Sequence, residues 1–265
     1  MLSDYHIHTQ ASFDCFSASD MMAQAAIDAG ISAIAFTDHM DFLPETPLDW
    51  QTDFDAAYRE IKATRDRFAG QLDIAWGAEF GQSQYNEAEA LRFTETYQPD
   101  FIIGSIHYLD PTYDIGIGGV SDRDPVQLFH TYLDMVLDLA QHQDYDVLGH
   151  LTYPWRYYKR EMDYDYDARD YREQFDAIFD ALIARGKGLE INTSGMRQPL
   201  ADCLPNEMIL TWYRTRGGEL LTTGSDAHRP EHVGFAIAEV TQMAQRIGFE
   251  GIATYRKRRP TIHSF

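Results

Sequence analysis

His6 and His8 stand two residues apart in "DYHIHTQASFD", a segment whose apolar alternation reads as a strand. Side chains two apart on a strand point to the same face. Two imidazoles are therefore aimed at one place, a common way to hold a transition-metal ion. The chain has ten histidines, and the same placement recurs. His39 closes "ISAIAFTDH", His107 closes "PDFIIGSIHY" and His150 closes "DVLGH". His228 follows "GELLTTGSDAH", while Glu79 and Asp226 occupy equivalent strand ends. His130, His142, His232 and His263 fall on expected helices or the tail and read as structural or surface residues. Imidazoles and carboxylates gathered at strand ends suit divalent cations of the zinc, manganese or iron type.

The elements that must position these residues alternate along the chain. Strand patterns end at His8, His39, Glu79, His107 and His150, and in "GKGLEINTSG" and "GELLTTGSDAH". Between them lie amphipathic stretches from Ser19 and Asp20 (read as N-caps) to Ala29, then about 54–69, 86–97, 125–142, 168–185, 206–216 and 231–247. The stretch "WRYYKREMDYDYD" and the residues after Ile247 carry no clear period and read as a loop and a tail. Seven βα units in series predict a parallel sheet wrapped by helices, most economically one α/β barrel spanning 1–265 as a single domain. In such barrels the C-terminal strand ends share one mouth, which carries the chemistry.

Composition narrows the function. The formal net charge of -20 repels phosphate backbones and anionic membranes, so neither nucleic acid nor membrane is an expected partner. No run approaches the ~18 apolar residues of a membrane span. "MLSDYHIHT" lacks the charged and apolar regions of a signal peptide. Two distant cysteines, Cys15 and Cys203, fit a reducing cytoplasm.

The series "HxH … TDH … GAE … SIH … GH … GSDAH" resembles the polymerase and histidinol phosphatase (PHP) superfamily of metal-dependent phosphoesterases, over nearly the whole chain. "DFIIGSIHYLD", "DVLGHLTYPWRYYKRE", "GLEINTSGMR" and "GSDAHRPEHVG" are similar to its monofunctional histidinol-phosphate phosphatases. The resemblance implies a distorted seven-stranded (β/α)7 TIM-like barrel with two or three transition-metal ions. It implies a first site of His6, His8, Glu79 and Asp226, and a second of Glu79, His107 and His150, bridged by Glu79. A third would use Asp14, His39 and His228, with Asp38 or Asp41 as replacements for Asp14. Asp38 is otherwise expected to fix an imidazole tautomer, and Cys15 to serve packing.

The implied reaction is hydrolysis of L-histidinol phosphate to L-histidinol and phosphate, in histidine biosynthesis, by a metal-activated hydroxide attacking phosphorus. Asp226 and His228 are the catalytic candidates, with the general acid left open. Arg160 and Arg197 are the expected phosphate clamps, because a guanidinium fork matches two phosphate oxygens. Arg156 or Lys159 could stand in for Arg160, and Ser194 and Ser225 read as turn residues or weak binders. Phe42, Trp50, Tyr108, Tyr153, Trp155 and Tyr157 are available to wall a pocket for a flat ring, with Asp41, Asp110 and Glu161 as acids for an ammonium. The competing readings are a PHP phosphoesterase for another small phosphomonoester or nucleotide, and a non-catalytic regulatory metal-binding barrel. An HxH-type amidohydrolase would want a strand-end lysine, and none is evident.

Overall fold

The computed structural model describes residues 1–43 and 51–265. Seven strands follow one another in parallel: β1 (Ser3–Ile7), β2 (Ala33–Phe36), β4 (Asp73–Gly81), β5 (Phe101–Ser105), β8 (Val147–Leu148), β9 (Gly188–Asn192) and β10 (Leu221–Gly224). The short β3 (His39–Asp41) pairs with β4 in the register that β2 uses, so Ala33 faces Asp73 and His39 faces Glu79. β2 and β3 are thus one strand line interrupted at Thr37 and Asp38, and His39 sits on its C-terminal continuation as expected. β10 returns to β1 through an Ile7–Ala227 bridge and the Thr223 hydroxyl, which donates to the Ser3 carbonyl at 2.6 Å. The sheet is a nearly closed α/β barrel.

Helices α1 (Ser19–Asp28), α2 (Phe54–Arg67), α3 (Glu87–Tyr97), α4 (Pro125–His142), α6 (Arg172–Ala184), α7 (Glu207–Thr215) and α8 (Ile237–Ile247) fall in or close to the stretches that the period predicts. Four of their starts are capped by side chains: Asp53, Asn86, Asp124 and Asn206 each accept a backbone N–H three residues on. The start of α1 differs from expectation. Ala18 is its N-cap, and Glu60 of α2 supplies the missing acceptor by taking the Ser19 N–H and hydroxyl.

Three features depart from the sequence reading. "YPWRYYKREM" is a helix, α5 (Tyr153–Met162), and β6 (Tyr108–Asp110) with β7 (Tyr113–Asp114) forms a small hairpin in the loop before α4. The expected tail is a second hairpin, β11 (Gly251–Arg256) with β12 (Arg259–Ser264). It plugs the bottom of the barrel. Ala253 and Tyr255 join Tyr5, Ala33, Ala35, Ala75, Phe101, Ile103 and Val147 in a buried cluster, where the alanines of β2 and β4 leave room for the rings. Arg258 locks the plug by donating to Asp144 and Asp146.

A bulge in β1 prepares the opposite end. Asp4 pairs with Ile34 and Ile7 with Phe36, so β1 has one residue more than β2 over that interval. Tyr5 and His6 can then both face inward, the first into the plug cluster and the second toward the mouth. No helix among the described residues is long and apolar enough to cross a membrane.

Candidate metal centre and its cavity

Glu79 stands at the centre of the mouth on β4, 1% exposed. Its two carboxylate oxygens face different imidazoles. Oε1 lies 3.1 Å from His107 Nε2 and 2.7 Å from His150 Nε2. Oε2 lies 3.2 Å from His6 Nε2, 3.1 Å from His39 Nδ1 and 3.6 Å from His8 Nε2. Asp226 Oδ1 closes the far side, 3.5 Å from His8 Nε2 and 3.8 Å from His6 Nε2. Asp14 Oδ2 lies 3.0 Å from His228 Nε2 and 3.7 Å from His39 Nε2. His8 is stacked between His39 and His228, with ring centroids 4.3 and 4.1 Å away. All nine residues singled out from the sequence therefore meet at one mouth.

Hydrogen bonds behind the cluster decide which ring nitrogens face inward. Ser12 has one hydroxyl proton, which Asp38 accepts at 2.8 Å, so Ser12 accepts from His8 Nδ1 at 3.1 Å. Asp38 also accepts the Thr9 N–H and hydroxyl. It acts on His8 through Ser12 rather than on the adjacent His39. Glu190 takes the His6 Nδ1 proton at 2.7 Å, and Asp41 lies 3.2 Å from His107 Nδ1. His228 Nδ1 donates to the Asp226 carbonyl at 3.1 Å. Asp4, fully buried, accepts from the Ser225 N–H and hydroxyl and from the Gly234 N–H, pinning the loop that carries Asp226 and His228.

This arrangement fits cations. With their Nδ1 atoms engaged by Glu190 and Ser12, His6 and His8 turn Nε2 toward each other at 3.1 Å. The Nε2 atoms of His107 and His150 face each other at 3.3 Å, His107 with its Nδ1 turned to Asp41 and His150 with its Nδ1 unpartnered. Bare nitrogens repel one another and the Glu79 carboxylate unless a positive charge lies between them. His39 Nδ1 and His228 Nε2 are buried and close to carboxylates, yet neither has hydrogen-bond alignment. Burial and the neighbouring His228 and His39 push the His8 imidazole down to about 3, so it stays a neutral donor. Burial disfavours the Glu79 charge, but His6, His107 and His39 hold its carboxyl well below the usual range.

A cavity of about 290 Å³ opens onto the cluster. Phe13, Asp114, Ile117, Tyr153, Arg156 and Tyr157 line it beside Asp14, His39, Asp41, Glu79, His107, His150, Asp226 and His228. Arg156 is 9% exposed and donates to Ser194 Oγ at 2.7 Å, Tyr157 Oη at 2.9 Å and Asp226 Oδ2 at 3.4 Å. Its Nε has no partner. Arg197 donates to the Ser225 and Asp226 carbonyls at 2.7 and 3.3 Å. Arg160 lies elsewhere: its side chain is 45% exposed, paired with Glu161 and outside the cavity lining. Lys159 pairs with Asp163 and Asp165.

The aromatics divide likewise. Tyr153 and Tyr157 line the cavity, whereas Phe42 packs on Phe80 and Trp155 stacks on Tyr166. Tyr108 is buried outside the lining, and Trp50 lies outside the described residues. Among the acids, Asp110 caps the turn at Thr112 and Glu161 accepts the Val120 N–H. Phe13, Asp114 and Glu190 were not singled out from the sequence. Glu190 had a signal, being a lone charge in the apolar strand "GLEIN".

Residues 4–194 match the PHP domain family. A probable histidinol-phosphatase of Deinococcus radiodurans is 29% identical over 97% of this chain and 98% of its own. The histidinol-phosphatase of Lactococcus lactis is 27% identical over 95% of this chain and 93% of its own. The crystal structure of histidinol phosphate phosphatase from L. lactis, complexed with zinc, L-histidinol and phosphate, superposes with a TM-score of 0.89 at 26% identity, covering 98% of both chains. A nearly closed parallel barrel whose mouth gathers imidazoles around one carboxylate, matched by the family over most of its strands, makes this chain a member of the PHP domain family.

Proposed function

We propose that the site works as follows. The protein is a metal-dependent phosphatase that hydrolyses L-histidinol phosphate to L-histidinol and phosphate. The observation that carries this reading is the division of Glu79: one oxygen serves His107 and His150, the other His6 and His39. A carboxylate so placed would be shared by two cations. We assign His6, His8, Glu79 and Asp226 to the first, Glu79, His107 and His150 to the second, and Asp14, His39 and His228 to a third. Zinc, manganese and iron all suit this donor set.

When bound, the cations lower the pKa of water and neutralise charge on the attacking and leaving oxygens. The chain's own groups do the rest. Arg156 is held by Ser194, Asp226 and Tyr157 in the cavity wall, where its guanidinium charge would meet the phosphoryl group. Asp226, ionised despite its burial because of His6, His8 and His228, is the acceptor that orients the attacking water. His228 keeps its proton on Nδ1 and turns Nε2 to Asp14, so it serves the third site. Arg197 fixes the carbonyls of Ser225 and Asp226 and steadies that side of the mouth. Phe13, Tyr153 and Tyr157 offer apolar faces to the leaving group, and Asp114 and Asp41 offer charge. The cavity is sized for one small ester, and with the net charge of -20 this disfavours a polynucleotide substrate.

A panel of phosphomonoesters offered to the metal-loaded enzyme tests the assignment. Histidinol phosphate should show the highest kcat/KM. Equal turnover of simple aryl and sugar phosphates would move the assignment to a broad phosphoesterase.

Two properties of the metal sites follow. The third cation should leave first, because Asp14 is 38% and His228 24% exposed, against 1% for Glu79. Asp14→Ala should lose one metal equivalent by elemental analysis and keep the others; loss of all metal would show the sites to be inseparable. Cation binding should also release protons. Burial works against charge on His107, but Glu79 and Asp41 raise its imidazole to about 10. A cation arriving at pH 7 must displace that proton, so affinity rises with pH from neutrality toward 10. Calorimetry in two buffers of different ionisation enthalpy measures the release, and buffer-independent heats at pH 7 would refute it.

A further inference from the structure

β9 supplies none of the proposed ligands, yet the ligand cluster rests on it. Its inward row is Glu190 and Asn192, continued by Ser194 at spacings of two. Glu190 is 1% exposed and uses both carboxylate oxygens. Oε1 accepts the His6 Nδ1 proton at 2.7 Å. Oε2 accepts the His150 backbone N–H at 2.8 Å and an Asn192 Nδ2 proton at 3.2 Å. Asn192 cannot turn its amide over, because its Oδ1 accepts the Ser194 N–H at 2.9 Å. Space is equally constrained. A Cβ on Gly224 would stand 2.2 Å from Glu190 Oε1 and 2.5 Å from the His6 Cβ. His150, with φ at 20°, holds a backbone conformation that few non-glycine residues adopt, and the Glu190 bond to its N–H helps to fix it there.

We infer that Glu190 is a positioning residue that serves two cation sites at once: it fixes His6 in the Nδ1–H tautomer and anchors the backbone that aims His150 at Glu79. The inference rests on the ligand assignment proposed above. It reaches further, because it ties the first and second sites to one buried carboxylate on a strand without ligands.

The two oxygens make the idea testable. A carboxylate accepts on both sides, whereas an amide accepts on one. In Glu190→Gln the amide oxygen stays with the two donors on the His150 side, and the NH₂ turns to His6. His6 must then accept at Nδ1 and carry its proton on Nε2, the atom that faces Glu79 and His8. An Nε2–H imidazole cannot hold a cation there.

The zinc-loaded protein, its Glu190→Gln variant and a His6→Ala variant are compared by zinc competition with a chelator and by ¹⁵N imidazole NMR. Glu190→Gln should weaken one zinc by roughly 10- to 100-fold, keep the second, and move the His6 signal from the Nδ1–H to the Nε2–H pattern. A merely structural residue would lower Tm without changing the tautomer. If His6→Ala loses a zinc while Glu190→Gln keeps wild-type affinity and an Nδ1–H His6, the inference about Glu190 is overturned and the ligand assignment stands. If His6→Ala keeps every zinc, the assignment itself fails. Should the glutamine variant not fold, Glu190→Asp takes its place. The shorter aspartate reaches only one of the two donor groups, so a zinc should again be weakened, and wild-type affinity would overturn the inference.

Discussion

Glu79→Gln is expected to fold, to lose at least two cations and to lose turnover with them. The substitution keeps the volume of a side chain buried at the centre of the mouth, so the barrel has no cavity to collapse into. What changes is charge and donor pattern. Oε1 now serves His107 and His150 and accepts the Ser105 hydroxyl at 2.7 Å, while Oε2 serves His6 and His39. A glutamine would turn an NH₂ toward one of these pairs of nitrogens and remove the anion that lets two cations lie close together. The cations are asked to supply several kcal/mol of charge stabilisation at phosphorus. At about 1.4 kcal/mol per tenfold, losing it lowers kcat by two decades or more. Removing one imidazole leaves the bridge in place, so each single histidine variant should be milder. Elemental analysis, circular dichroism and steady-state kinetics on one preparation check the expectation. A folded Glu79→Gln enzyme with two cations and near-normal turnover would rule out the bridge.

Much of this centre is legible in the sequence because barrel geometry does the assembling. A histidine that ends an apolar strand in a βα series has one place to go, and His39, His107 and His150 go there. The interruption of the second strand at Thr37 and Asp38 does not disturb this, since β3 keeps the register of β2. The supporting layer is harder to read. Ser12 and Asp4 look like ordinary turn or strand residues until their partners Asp38 and Ser225, far away in sequence, are known, and the lone charge of Glu190 in an apolar strand does not say which imidazole it meets.

α5 escaped the period for a different physical reason. Its first six residues, Tyr153 to Tyr158, are all buried, Tyr153, Arg156 and Tyr157 against the cavity and Trp155 and Tyr158 among aromatics, so a run of tyrosines with an arginine among them reads as a polar loop although it is a packed helix. "RKRRP" has the composition of a solvated tail, but Arg256 and Arg258 find Asp73, Asp100, Asp144 and Asp146 at the barrel bottom. Such pairings are tertiary, and local pattern carries no trace of them.

The helical form of "YPWRYYKREM" also decides between two arginines that the sequence leaves open, and with them the second large effect expected of this site. Arg156 and Arg160 are four apart on α5, yet their surroundings differ. Arg156 is buried in the cavity wall beside Asp226, and Arg160 is half-exposed beside Glu161. A charge-assisted fork on a phosphate contributes ~1.5–3 kcal/mol, whereas an exposed ion pair contributes about 1 kcal/mol at most. Arg156→Ala should therefore lower kcat/KM for histidinol phosphate by about one to two decades. Arg160→Ala should stay within about twofold of wild type. Arg156→Lys should recover little, since one ammonium cannot span Ser194, Tyr157 and Asp226 while also facing the ester. Arg197→Ala should separate from both, because its guanidinium holds the carbonyls beside Asp226: metal occupancy and kcat should fall together. An arginine that grips the phosphoryl group acts on every phosphomonoester alike, so Arg156→Ala should slow an aryl phosphate by the same factor as histidinol phosphate. Unchanged efficiency in Arg156→Ala beside a large loss in Arg160→Ala would return the phosphate to Arg160, one turn further along the same face of α5.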